Sequence, residues 1–552
     1  MAAAALFATF VTSLAALIFL LHRLQARTSQ IRRDAEAEKP RHAEVSAPLS
    51  KAALRLRSKL QEGLPESVIC SDCRSAFKES LNSYWAQQAC EVTPACVLRP
   101  RHTQDVALAV TILKKYFDVR KEAKSAATSN DEDLFAIRGG GHSPVAGAAT
   151  VSGGVLIDMS LFNKVTTLPD GKSVVVEAGC KWKDVYNVLE ENGLAVVGGR
   201  NSAVGVGGLT LGGGLSFFSP RFGFVCSNII EYQVVLADGS VIQASATKHP
   251  KLWRALKGSS NNFGIITSFT TKTFPSTNVW SGFLYMLPSQ SPKVLSAFYE
   301  FLNRTMSDDQ DNTYDDYAAG PIACFTYLSK SGIQAIAVHL VHTELPKNRR
   351  KWPQCWKSSQ FASLWRLWST CKVRSLTSAT DELHALNPPG RRQTWGTTTV
   401  KNNIETLTIA HKAYRDGIEF IRKADIRDVS WTLVLQPLLP DWARKGQPNP
   451  LGLDSCPDEA LVIVQFTVNW ASSTDDEKVE RITRTAIDQI DAFANEHGTS
   501  HRYRYLNYCG KWQKPFHSYG EENLEFLRSV SRQYDPDGLF QSGCAGGFKL
   551  EL

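Results

Sequence analysis

The residues most able to do chemistry sit in Arg138-Gly139-Gly140-Gly141-His142-Ser143-Pro144, directly after a strand-like run. Three successive glycines let the backbone adopt positive φ, pass close to a ligand and aim N–H groups at anionic oxygen. A histidine at the end of such a loop gains functional weight, because imidazole is the side chain poised for chemistry near neutral pH. A second glycine field runs from Gly198-Gly199-Arg200-Asn201 through Val204-Gly205-Val206-Gly207-Gly208 to Gly212-Gly213-Gly214. Each glycine costs about 0.5–1 kcal/mol in regular structure, so this density points to backbone packed on a ligand rather than to ordinary helix or strand. Taken singly, either loop is explained almost as well by tight turns. Neither is GxxxxGK[ST], and neither is a GxGxxG between a first strand and its helix, which argues against phosphate-loop and dinucleotide-fold readings.

Regular elements must position these loops. Arg101 to Tyr116 has helical apolar spacing after a polar start, and LFAIR (134–138), GGVLIDM (153–159), SVVVEAG (173–179), YQVVLAD (232–238) and GIITSFTTKTF (264–274) read as short strands. Trp182 to Asn192 reads as a helix between them. Beyond residue 277 the strand-like runs AIAVHLVHT, WTLVLQPLL and LVIVQFTVNW alternate with long amphipathic helices, as in an antiparallel sheet backed by helices. The expected class is α+β, with domains at 84–276 and 277–500 and a segment 501–552 that is too short to stand alone and returns to the first.

The chain has 552 residues with 43% hydrophobic and 21% charged, near globular averages, which excludes a mostly disordered protein. Its net charge of +8 is scattered rather than gathered in a patch, so no nucleic-acid partner is expected. Residues 2–21 carry no charge, and about 20 apolar helical residues span a bilayer, so 1–22 is expected to be a transmembrane anchor, with a cleaved signal as the alternative. Residues 23–83 are expected to be an exposed tether or helical stalk with a Cys-containing lead-in. Four of the twelve cysteines, Cys70, Cys73, Cys90 and Cys96, cluster there. With one CxxC and no histidine pair at finger spacing, disulfides are favoured and no metal site is expected. The positive charges after the span favour a cytosolic body. The cysteines and the sequon Asn303-Arg304-Thr305 favour a lumenal, glycosylated one, in the endoplasmic reticulum or secretory pathway, and that reading is taken.

RGGGHSP, GGVLIDM, VVEAGCKWKDVY, VGVGGLTLGGGLSFFSPRFGF, VVLADGS and LWRALKGSSNNFGIITSF, in this order, resemble the FAD-linked oxidoreductases of the vanillyl-alcohol-oxidase and berberine-bridge-enzyme type. The resemblance covers about residues 90–276 and 500–552. It implies a two-subdomain PCMH-type FAD-binding domain. The pyrophosphate would be held by Arg138, Gly139, Gly140, Gly141 and Ser143, and the flavin 8α-methyl linked covalently to His142. Val204, Gly205, Gly207, Gly208, Gly212 and Gly213 would line the flavin ring, with Asn261, Gly264, Ile265 and Asn507 completing the cofactor site. Many members carry a second, 6-S-cysteinyl link; Asn201 stands at that position here, so single attachment is expected. Gly546-Gly547-Phe548-Lys549 resembles a fungal-type terminus.

A flavin oxidase needs a base for the proton that accompanies hydride transfer. The family's YxN segment matches Tyr505-Leu506-Asn507, which makes Tyr505 and Tyr508 candidates. Tyr327 is a third, and His339, His342 and Gln465 lie on strand runs that could face the ring. Trp431 and Trp470 read as core or wall. The resemblance implies oxidation of a small specialised-metabolite alcohol or related C–H bond with O2 as acceptor. A flavin-dependent cyclase or hydroxylase, or a catalytically silent flavin-binding membrane protein, are the alternatives.

Overall fold

Regular structure begins earlier than the sequence suggests. A computed structural model of the protein describes residues 49–124, 133–145, 147–276, 278–304, 315–454, 459–544 and 546–552. The expected anchor at 1–22 lies outside the described residues, and among those described no helix is long and apolar enough to cross a membrane. The folded core starts before Tyr84, contrary to the expected tether. A helix at Lys51–Gly63, capped by Ser50 accepting from the Ala53 N–H at 3.1 Å, buries Leu56 and Leu60. Leucines four residues apart share one helix face, and the surrounding Arg and Lys residues mask that stripe in composition.

Three sheets follow. β1 (Val68–Ile69), β2 (Cys96–Leu98), β3 (Phe135–Arg138) and β4 (Val155–Asp158) form a four-stranded sheet in the order β1-β2-β4-β3. β4 is parallel to both of its neighbours. The helix Thr103–Lys124, longer than its apolar period indicated, packs Val106, Ala109, Val110 and Leu113 onto one core of this layer. β5 (Val165–Thr167), β6 (Ser173–Glu177), β7 (Leu194–Val196), β8 (Ile229–Val235), β9 (Val241–Ser245) and β10 (Ile265–Pro275) form an antiparallel sheet centred on β10. The third sheet contains β11 (Val279–Met286), β12 (Ala318–Leu328), β13 (Ile333–His342), β14 (Trp368–Ser369), β15 (Lys372–Arg374), β16 (Arg392–Lys401), β17 (Ser430–Leu438), β18 (Leu461–Trp470) and β19 (Ser500–His501). It is antiparallel throughout, in the order β14-β11-β13-β12-β17-β18-β16-β19, with β15 beside β11. The helices Ile404–Lys423 and Asp476–Glu496 cover one face of it.

The cysteine expectation is corrected. Every cysteine among the described residues is a free thiol. Cys70 and Cys96 point into one apolar core and Cys90 into another, on the opposite side of the sheet, while Cys73 is exposed. The sheet thus keeps Cys90 from Cys70 and Cys96, which share one core as unbonded thiols. Asn303, exposed near the end of the helix Ser291–Arg304, accepts from Asn402 Nδ2 at 3.0 Å; Thr305 of that sequon lies outside the described residues.

Candidate functional site

β3 aims the first glycine loop. Arg138, its last residue, stands opposite Asp158 at the end of β4, and the two side chains pair at 2.6 Å in a buried position. The guanidinium also donates to the Ser80 carbonyl at 2.7 Å and to Ser80 Oγ at 2.6 Å, and lies over the Tyr84 ring. Burial alone would raise the Asp158 carboxyl, but the Arg138 charge outweighs it and holds it below the usual range. Arg138 is therefore an anchor beneath the loop and does not reach the cavity above, which corrects its expected role as a ligand contact.

Gly141, with φ of 63°, turns the chain and presents His142. The His142 ring stacks on Trp85 with centroids 4.3 Å apart and planes 11° apart. Its Nε2 is buried with no hydrogen-bond partner among the described residues. Burial, aided by the charges of His384 and Lys181, holds the imidazole down to about 3, so the ring is neutral. The two glycine fields meet here: a Cβ on Gly140 would lie 2.5 Å from Gly205 Cα and N, and one on Gly205 would lie 2.5 Å from Gly140 N. Any side chain would force the loops apart.

A cavity of about 380 Å³ opens over this junction. Gly139, Gly140, Gly141, His142 and Ser143 line it from the first loop; Val204, Gly205, Gly207 and Gly208 line it from the second; Asn261, Gly264 and Ile265 approach from the start of β10; and Asn507 comes from the tail. Gly212 and Gly213 do not reach it. A Cβ on Gly212 would fall 2.0 Å from Asn507 Oδ1, so this glycine makes room for the tail, whose Asn507 Nδ2 donates to the Leu209 carbonyl at 3.0 Å. Asn261 Oδ1 accepts from the half-buried Lys549 Nζ at 3.1 Å, a second tie between tail and loop.

The large sheet supplies the opposite wall, and its alternation decides which residues count. Ile322 and Cys324 of β12, Trp395 of β16, Val434 and Gln436 of β17, and Gln465 and Thr467 of β18 face the cavity. Tyr327 falls on the other face of β12, where its hydroxyl receives Arg422 Nε at 3.4 Å, so it is excluded from the site. Trp431 and Trp470 likewise face the helices, donating to the Tyr414 carbonyl and to Asp476. His339 shares the cavity side but is sealed behind it, stacked on Phe283 at 4.3 Å and 3.1 Å from Ser281 Oγ. His342 lies apart from the cavity altogether.

Tyr505 and Tyr508 both line the cavity. Tyr505 Oη accepts from the Leu215 N–H at 3.0 Å and from Asn507 Nδ2 at 3.1 Å, and burial pushes its phenol far up. Tyr508 Oη accepts from Arg200 at 2.7 Å and sits 3.4 Å from Gln436 Oε1. Arg200, Trp85, Trp395, Cys324 and Gln436 escaped the sequence reading. Arg200 alone carried a signal, as a charged residue inside a glycine field.

Comparison with known proteins bears directly on this pocket. A family model described as an FAD binding domain matches residues 94–245, which hold both glycine loops. The chain is 34% identical over 484 residues to the FAD-dependent monooxygenase sdcF of Emericella nidulans, covering 86% of this chain and 94% of that one. It belongs to the FAD-linked oxidoreductases of the berberine-bridge-enzyme type. Two solved structures share the fold of this oxidoreductase. The 6-hydroxy-D-nicotine oxidase of Arthrobacter nicotinovorans matches with a TM-score of 0.66 at 21% identity, over 88% of this chain and 98% of that one. The glucooligosaccharide oxidase of Acremonium strictum, whose flavin is a 6-S-cysteinyl, 8α-N1-histidyl FAD, matches with a TM-score of 0.64 at 17% identity, over 90% and 98%. The residues of this flavoprotein fit FAD: the Gly140–Gly205 junction admits only bare backbone, and the neutral His142 ring lines the same cavity, with its Nε2 buried and without a partner among the described residues.

Proposed function

We propose that the protein holds FAD through a single covalent bond to His142 and oxidises a small organic alcohol, or a related C–H bond, of specialised metabolism, with O2 as final acceptor. The observation that carries this reading is the sharing of one cavity by His142 and by Tyr508 held on Arg200. A neutral imidazole is the form able to bond to carbon, and Asn201, which lines the cavity where a second link would form, has no thiol. FAD held by the Gly139–Ser143 and Val204–Gly208 loops and His142 would supply a hydride acceptor that O2 can reoxidise.

The chain's own residues handle the proton. Tyr508 Oη faces the cavity and, as the phenolate left once its own proton has passed to solvent, takes the substrate hydroxyl proton, while the Arg200 guanidinium at 2.7 Å offsets the negative charge of that oxygen. Tyr505 is the weaker base, because its oxygen is occupied by two donors that tie the tail to the loop. Cys324, Gln436, Gln465 and Thr467 orient the substrate, and Trp85 and Trp395 close the side and keep water out. The substrate loses two electrons and two protons, and O2 becomes hydrogen peroxide.

Monooxygenation is the second reading, favoured by similarity to the FAD-dependent monooxygenase of Emericella nidulans. Acid precipitation of wild type and His142→Ala tests the linkage: flavin fluorescence staying in the wild-type pellet and released from the variant is expected, and release from both would sink it. Turnover under ¹⁸O₂ separates the two chemistries. Labelled peroxide with unlabelled product supports oxidation, whereas label in the product supports monooxygenation.

A further inference from the structure

Away from the flavin cavity, Asp315, His342 and Cys355 bring an oxygen, a nitrogen and a sulfur donor within 4.8 Å of one another. Asp315 lies just before β12, His342 ends β13, and Cys355 is on the short helix Gln354–Ser358. None of the three lines the flavin cavity. The sequence held no sign of them as a group, because they are far apart along the chain and match no spacing motif.

The hydrogen bonding around His342 is unusual. Its Nε2 is 2.9 Å from Asp315 Oδ2, and its Nδ1 is 2.6 Å from the Glu344 carbonyl oxygen. Both ring nitrogens therefore face acceptors, while a neutral imidazole has one N–H to offer. Either the ring carries a second proton, or a cation stands between Nε2 and the carboxylate. An Nδ1–H held by a backbone carbonyl is the orientation in which metal-bound histidines are commonly fixed. The Cys355 Sγ, half-buried against the core, completes the set within the same 4.8 Å. A cysteine nucleophile needs an imidazole nitrogen free to take its proton, whereas both ring nitrogens here are turned to oxygen acceptors; three unlike donors closing on one point suit a single ion instead.

We propose that Asp315, His342 and Cys355 bind one zinc ion, with water as the fourth ligand. A thiolate and an imidazole in one set select a borderline-soft ion and disfavour magnesium or calcium. With Zn–N near 2.0–2.1 Å and Zn–S near 2.3 Å, tetrahedral donors stand about 3.3–3.6 Å apart, a spacing that small side-chain rotations reach from the present one. On binding, the Cys355 thiol loses its proton to solvent and the His342 Nε2 lone pair is taken by the ion. The ion would clasp the entry to β12, the end of β13 and the helix that follows, and so would hold the ends of two neighbouring interior strands of the large sheet rather than take part in flavin chemistry.

The test uses the full-length flavoprotein, stripped with a chelator and titrated with Zn²⁺ or Co²⁺. Elemental analysis is expected to give one zinc per chain, and the cobalt form a near-ultraviolet thiolate charge-transfer band. Cys355→Ser should abolish the band and weaken zinc binding about 100-fold, and His342→Ala should weaken it similarly. Exchange of the exposed Cys73 for Ser should change neither. Should the Cys355 or His342 variants fail to fold, alkylation of Cys355 in the wild type decides the matter: zinc should slow it at least tenfold. Sub-stoichiometric zinc, a cobalt band that survives Cys355→Ser, or alkylation indifferent to zinc would each overturn the site.

Discussion

Gly139–His142 and Val204–Gly208 meet the cavity mainly through backbone, whereas Cys324, Trp395, Gln436, Gln465 and Thr467 meet it through side chains on alternate positions of four strands. The first wall is intolerant by construction, since a single Cβ at Gly140 or Gly205 collides with the facing chain. The second can exchange one side chain for another without moving the strand that carries it. A wall of bare backbone suits a ligand that never changes, and a wall of side chains suits one that differs from protein to protein. Under the proposed function, cofactor binding falls to the loops and substrate choice to the sheet.

If that division holds, changes beneath the loops should cost stability and changes on the sheet should alter turnover. The largest effect is expected for Arg138→Leu, which leaves the buried Asp158 carboxylate with only Arg99, at 3.3 Å, as its counter-charge and should lower unfolding stability by about 3 kcal/mol in urea melts, the lower end of the cost of breaking a buried pair. An unchanged midpoint would mean that the anchor beneath the glycine loop is dispensable. Tyr508→Phe should keep its full flavin content and fold while losing about 100-fold or more in kcat. Retained turnover would move the base elsewhere, with Tyr505→Phe the next variant to measure.

Stability should also fall in acid. Burial first, then the charges of Arg200 and Arg374, holds His339 down to about 3, and burial holds His411 and His501 at about 4. These rings are neutral when folded and take up protons on unfolding, so their support is complete above about pH 6.5 and is lost as pH falls toward 4. Replacing His339 by Gln should reduce the slope of stability against pH over that window by about 1.4 kcal/mol per unit, measured by denaturant melts at several pH values. The smallest effect is expected for Tyr327→Phe, which faces the helix layer: under about 1 kcal/mol in stability and no change in turnover, even though it shares β12 with Cys324. A loss of turnover would show that the two faces of the sheet are coupled.

Much of the cofactor side was legible because its constraints are local. A run of glycines, the strand before it and the histidine at its end are adjacent in the chain, and each carries its conformational meaning without help from distant residues. Tyr508 was legible through a short segment for the same reason. The docking of the helix Lys51–Gly63 on the core was missed because its two buried leucines sit among Arg and Lys, and the four clustered cysteines misled because closeness in sequence does not bring two sulfurs into bonding geometry.

By itself, then, the sequence determined the glycine loops, the strand and helix runs, and the family to which they belong, since all of these are written in contiguous residues. Tertiary structure alone decided that Arg138 pairs with Asp158 instead of a ligand, that Tyr327 faces away while Cys324 faces in, that Arg200 reaches Tyr508, and that Asp315, His342 and Cys355 converge. Each of these depends on strand register or on a contact between residues distant in the chain, and a one-residue change of register would reverse every face.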